Sequence, residues 1–186
     1  VIRPGEVNWM TAGKGIAHSE RFEDPTALAG GRLEMIQTWV ALPEKDEEAM
    51  PSFNNYKPDA LPVFFEKGVW MRLIAGNAFG LRNDVKTNSP LFYLHVTLEK
   101  GAHMGLPQDH SERGVYIARG NIEVSGTTYG IGQMLVFNKG IDPVMVALET
   151  STLMLLGGEP LDAPRHMWWN FVSSSKERIE QAKHDW

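Results

Sequence analysis

Apolar positions along this chain fall in short runs broken by turn residues, a pattern that predicts many strands and a single helix. Runs at 33–42, 69–76, 91–98, 114–124, 133–137, 144–148 and 151–158 read as strands. Their stops are turn formers: Pro43 after the first run, Gly76 in the second, and Glu99-Lys100-Gly101 as a hairpin-type stop after the third. Strands and turns at such regular spacing predict an all-β barrel or jelly roll. The helix is expected at the C-terminus. Ser174 and Glu177 fit a capping box, and Ile179, Ala182 and Trp186 fall on one face at helical spacing.

Length and composition narrow the picture. The 186 residues suffice for one large β domain or for a small barrel with part of another, and 42% hydrophobic residues can fill a core. A net charge of -5 argues against a phosphate backbone as partner, since nucleic-acid binding needs a basic patch. No apolar run approaches the roughly 20 residues that span a bilayer, and no signal-peptide pattern is read. The expected location is therefore the cytoplasm, with the nucleus second in a eukaryote. With no cysteine, disulfides and thiolate metal ligands are excluded.

The chain opens at Val1 inside what reads as a turn into a strand, which leads us to expect a further segment before it. A weak internal repeat agrees. Pro4-Gly5-Glu6-Val7-Asn8-Trp9 and Ile131-Gly132-Gln133-Met134-Leu135-Val136 both have a glycine turn feeding an apolar strand, 127 residues apart (132 − 5). The organisation expected is a remnant of an N-terminal barrel at 1–42, a proline- and charge-rich linker at 43–67, a C-terminal barrel at 68–172 and a helix at 173–186.

The best candidate for chemistry is Gly13-Lys14-Gly15-Ile16-Ala17-His18-Ser19-Glu20. In a strand, residues two apart share a face, so His18 and Glu20 are expected to project together into a barrel interior. An imidazole beside a carboxylate suits iron, manganese, nickel or zinc. It is also what a plain hydrogen-bonded pair looks like, and the spacing does not choose between them. Two ligands need a partner pair, expected as histidines from a neighbouring strand.

The same letters recur at His110-Ser111-Glu112-Arg113, with His103 nearby. Under the 127-residue offset, however, His18 maps to Met145 and Glu20 to Ala147, neither of which can ligate as its counterpart does. Met145, Ala147, Leu106 and Val136 are expected to fill the second barrel as core. His95 reads as structural, and His166 precedes Trp168 and Trp169, which are expected to pack beneath the helix. His184 sits where a helix C-terminus favours a cation. No nucleophile elbow, phosphate loop or zinc-protease motif appears.

The segment Pro4-Gly5-Glu6-Val7-Asn8-Trp9-Met10-Thr11-Ala12-Gly13-Lys14-Gly15-Ile16-Ala17-His18-Ser19-Glu20 closely resembles the second cupin motif of pirin. The likeness continues at Gln37-Thr38-Trp39-Val40-Ala41-Leu42-Pro43, at Ile74-Ala75-Gly76, at Leu156-Gly157-Gly158-Glu159-Pro160-Leu161 and at Trp169-Asn170-Phe171-Val172, and so covers the whole chain. It implies a bicupin, two stacked β-barrels (jelly rolls) with a short C-terminal helix, the first barrel incomplete here. The family's single metal, held by three histidines and one glutamate, lies in the N-terminal barrel. Two of those histidines belong to a first cupin motif that this chain lacks; the other two ligands fall on His18 and Glu20. Iron is the implied ion, and this chain alone is expected to hold none.

The resemblance implies a quercetin 2,3-dioxygenase-type ring opening of a flavonol-like substrate, with Glu20 able to act as general base. Its alternatives are a non-catalytic, metal- or redox-responsive regulator that docks on protein partners, and a metal-free remnant of a bicupin. Association with a preceding piece, or with further copies of the chain, is expected in either case. No membrane partner and no direct nucleic-acid partner is expected.

Overall fold

In the computed structural model, which describes residues 2–19 and 34–186, contacts divide the chain into two units: Val1–Asn55 with Leu161–Trp186, and Tyr56–Pro160. These borders differ from those at 42, 67 and 172 suggested by composition. In the first unit, β1 (Val7–Thr11) pairs with β2 (Ser52–Tyr56), and Asn55 Nδ2 donates to Asn8 Oδ1 at 2.9 Å.

The second unit holds eleven strands: β3 (Val63–Glu66), β4 (Val69–Ala78), β5 (Leu81–Arg82), β6 (Leu91–Leu98), β7 (His103–Met104), β8 (Glu112–Arg119), β9 (Asn121–Val124), β10 (Thr127–Gly130), β11 (Met134–Phe137), β12 (Met145–Ala147) and β13 (Ser151–Gly158). One sheet runs β11-β8-β13-β6-β4-β3, with β5 beside β4, and the other runs β10-β9-β12-β7. Alternate residues of the large sheet, Leu94, Val96, Val115, Ile117, Leu153 and Leu155, meet Ile122, Met145 and Ala147 of the small one in a single core. Each such aliphatic side chain contributes roughly 1.5–3 kcal/mol by leaving water. The expected all-β architecture with a C-terminal helix is what the chain adopts.

The internal repeat has a physical counterpart. Gly5 and Gly132 both take left-handed backbone, at φ 81° and 83°, and each is followed closely by a strand, β1 or β11. A residue with a Cβ is strained there, which explains why glycine stands at both points.

Four expectations need correction. Met145, Ala147 and Leu106 are core as expected, but Val136 is 77% exposed while Leu135 is 9% exposed. In β11, Leu135 lies opposite Val115 and so faces inward with it, which turns Val136 out. The run at 33–42 makes no strand along its described part, 34–42; no ladder forms beside it among the described residues, and Trp39 is 51% exposed. The 43–67 segment is more than a linker, since it contains β2, β3 and 3-10 turns at Glu44–Asp46 and Pro58–Ala60.

The fourth correction lies at the C-terminus. A hairpin of β14 (His166–Trp168) and β15 (Phe171–Ser173) leads into α1 (Lys176–Asp185). The cap is Ser175, whose Oγ accepts from Arg178 N at 3.1 Å, one residue later than the capping box expected at Ser174. Ser174 is diverted: its hydroxyl donates to Glu47 Oε2 at 3.0 Å. Ile179 is buried, and the exposed Trp168 and Trp169 meet the C-terminal end of α1 as expected, with Lys183 5.0 Å from the Trp168 ring and Trp186 edge-on to Trp169 at 5.0 Å. Among the described residues no helix is long and apolar enough to cross a membrane.

Candidate functional site

The loop that carries His18 begins where β1 stops. Gly15 N donates to Ala12 O at 2.9 Å, closing a tight turn, and Lys14 N donates to Ala49 O at 3.0 Å. Gly13 takes φ 52°, and a Cβ on it would come within 2.0 Å of Ala49 O, so only glycine lets the two backbones approach this closely. Arg178 of α1 donates to Lys14 O at 3.4 Å and to Glu48 Oε1 at 2.8 Å.

Residues 15–19 carry no strand, and the same-face geometry expected for His18 and Glu20 lies outside the described residues because Glu20 does. His18 is exposed, and Glu20 lies outside the described residues. Among the described residues no three His, Cys, Asp or Glu side chains gather where they could hold a metal.

The second His-Ser-Glu-Arg run serves packing. His110 is buried, its Nε2 donates to Asn77 O at 3.2 Å, and its ring lies 5.2 Å from Phe92. Glu112 and His103 are exposed. Arg113 is buried at the inward face of β8 and donates to Ile141 O at 2.5 Å. His95, in the outer face of the large sheet, lies opposite Arg72 and edge-on to Trp70 at 5.1 Å. Burial, and then the Arg72 charge, hold its imidazole below the ordinary value of 6.5.

Three residues with no forewarning in the sequence organise the first unit. Glu47 accepts from Arg165 Nε at 2.7 Å, from Ser173 Oγ at 2.9 Å and from Ser174 N at 2.9 Å. Arg165 also donates to Leu42 O at 2.9 Å and to Asp162 Oδ1 at 2.5 Å, and that hydrogen bond is the main cause that lowers the Asp162 carboxyl. Arg178 completes the set. A charged stretch rich in proline reads as a linker, and nothing local marks Glu47 as a hub.

Residues 93–186 match the family model of the pirin C-terminal cupin domain, and residues 1–40 match that of pirin. A pirin-like protein of Caulobacter vibrioides is 54% identical over the whole of this chain, which spans 64% of that relative's length. The structure resembles that of a quercetin 2,3-dioxygenase from Acinetobacter baumannii with a TM-score of 0.90 and 29% identity, covering 99% of this chain and 66% of that one. A second quercetin 2,3-dioxygenase structure from the same organism gives a TM-score of 0.82 and 26% identity, covering 60% of its chain. The chain thus spans less than two thirds of the length of these relatives.

Proposed function

We propose, since this chain belongs to the pirin family, that it forms part of a metal-dependent cupin oxygenase that opens the ring of a flavonol. The observation that carries this reading is the likeness to the Acinetobacter baumannii quercetin 2,3-dioxygenase, which extends over 99% of the chain. The Gly13–Glu20 motif supports it from the sequence side. His18 and Glu20 supply one imidazole and one carboxylate to a mixed donor set, the remaining ligands coming from protein beyond these residues. Such a set suits iron, and admits manganese, nickel or zinc. Glu20 also serves as the base that takes the proton of a substrate hydroxyl.

Oxygen uptake with quercetin, measured on a protein of the relatives' length and on its His18→Ala variant, tests the proposal. Metal analysis of the same two samples accompanies it. Loss of both uptake and bound metal in the variant is expected. Equal rates in the two proteins would remove the assignment.

A further inference from the structure

We infer that α1, at the far end of the chain, positions the loop that bears His18, with Arg178 as the positioning residue. The inference rests on reading His18 as a ligand, and it adds a part of the chain that reading does not include.

Both backbone polar groups of Lys14 are held from outside the loop. Its N–H goes to Ala49 O at 3.0 Å, and its carbonyl accepts from Arg178 at 3.4 Å. The residue before Ala49 fixes the guanidinium, through Glu48 Oε1 at 2.8 Å from Nε. The residue before that, Glu47, is fastened to Ser173, Ser174 and Arg165. Three consecutive residues, Glu47, Glu48 and Ala49, therefore join the C-terminal hairpin and helix to the turn that precedes His18. The first turn of α1 sets the near end of Arg178, because its N–H is the one that Ser175 Oγ caps.

The side chains of Arg178 and Glu48 are 38% and 62% exposed. An ion pair that open adds little stability, so its value is geometric. A guanidinium is a planar fork whose donors reach an acid and a carbonyl at once; an ammonium is a point charge on a flexible stem and cannot hold both in fixed directions. Within the turn at Ala12–Gly15, Gly15 N donates to Ala12 O. Without the fork, Lys14 keeps one of its two outside anchors, and the segment running to His18 swings about Gly13 and Gly15. A ligand displaced by about 1 Å no longer completes its set, as for any preorganised site.

The test compares wild type, Arg178→Ala and Arg178→Lys in the full chain without metal, by amide hydrogen exchange. A second arm titrates Zn²⁺ into a protein of the relatives' length. Loss of the fork should speed exchange at Lys14 and Gly15 about threefold to tenfold, leaving the amides of Val115 and Leu155 unchanged. Arg178→Lys should not restore protection, although it keeps the charge beside Glu48. Zn²⁺ affinity should fall in both variants. Exchange at Lys14 and Gly15 unchanged in Arg178→Ala, or Zn²⁺ affinity unchanged while exchange rises, would overturn the positioning role. A wild-type protein that binds no Zn²⁺ while exchange responds as expected overturns the ligand reading of His18 and leaves the anchoring of the loop by Arg178 in place.

Discussion

Arg165 and Glu47 form an ion pair with 2.7 Å between Nε and Oε1, the two side chains only 7% and 13% exposed. The pair fastens the segment after β13 to the 3-10 turn before β2. Neither charge has much water to fall back on, so each depends on the other and on the hydrogen bonds around it.

Glu47→Gln tests that dependence. The amide keeps an acceptor for Ser173 and Ser174 but leaves Arg165 with Asp162 and backbone carbonyls alone. Breaking one partner of a buried pair costs about 3 kcal/mol, and the variant should lose that much stability. Urea unfolding followed by tryptophan fluorescence reads it, because Trp9, Trp168, Trp169 and Trp186 all lie in the same unit. A midpoint equal to that of wild type would mean the pair holds nothing.

Most of the strands carry a local signal in the sequence, and Glu47 carries none. Strand β6 alternates apolar and polar residues from Phe92 to Leu98, and alternation is a local property of sequence. The meeting of Glu47 with Ser174 is not local at all, and the loss of Ser174 to it moved the helix cap to Ser175. The facing of Val136 is likewise not local: four apolar residues in a row, Met134-Leu135-Val136-Phe137, carry no phase, and the pairing of Leu135 with Val115 decides which of them faces in. Residues 34–42 show the opposite limit. Their apolar pattern suits a strand, but a strand exists only beside a neighbour, and none runs along them among the described residues. The candidate site was legible as a motif at His18 and Glu20; its support from Ala49 and Arg178 was not.

The contrast at β11 makes a paired prediction. Leu135→Ala removes a buried side chain from the core and should cost about 2–4 kcal/mol. Val136→Thr alters a side chain that is 77% exposed, and such surface changes stay within about 0.5 kcal/mol. Parallel thermal melts of the two variants check the register. If Val136→Thr proves the more damaging, β11 faces the other way.

Gly13→Ala should damage the turn before His18 more than backbone strain alone explains. The left-handed conformation costs a residue with a Cβ about 1–2 kcal/mol. The added carbon would also meet Ala49 O at 2.0 Å, so the backbone must shift and the Lys14–Ala49 hydrogen bond must lengthen. Hydrogen exchange at Lys14 reads that bond directly. Protection equal to wild type at Lys14 would show that the close approach to Ala49 is not maintained in solution.

The last prediction concerns acid. His95 lies across from Arg72 and beside Trp70, in a partly buried place where its neutral form is favoured, chiefly by desolvation and then by the Arg72 charge. Its folded pKa is therefore below 6.5, while in the unfolded chain it titrates near 6.5. Between those two values the unfolded chain binds a proton that the folded one refuses, so acid draws the equilibrium toward unfolding. The contribution is fully present above 6.5 and is lost as pH falls through the folded value. Folding free energies measured across this range should decline for wild type and decline less for His95→Gln, which carries no charge at any of these pH values. Identical slopes for the two proteins would mean that Arg72 and burial leave the imidazole free to charge in the folded state.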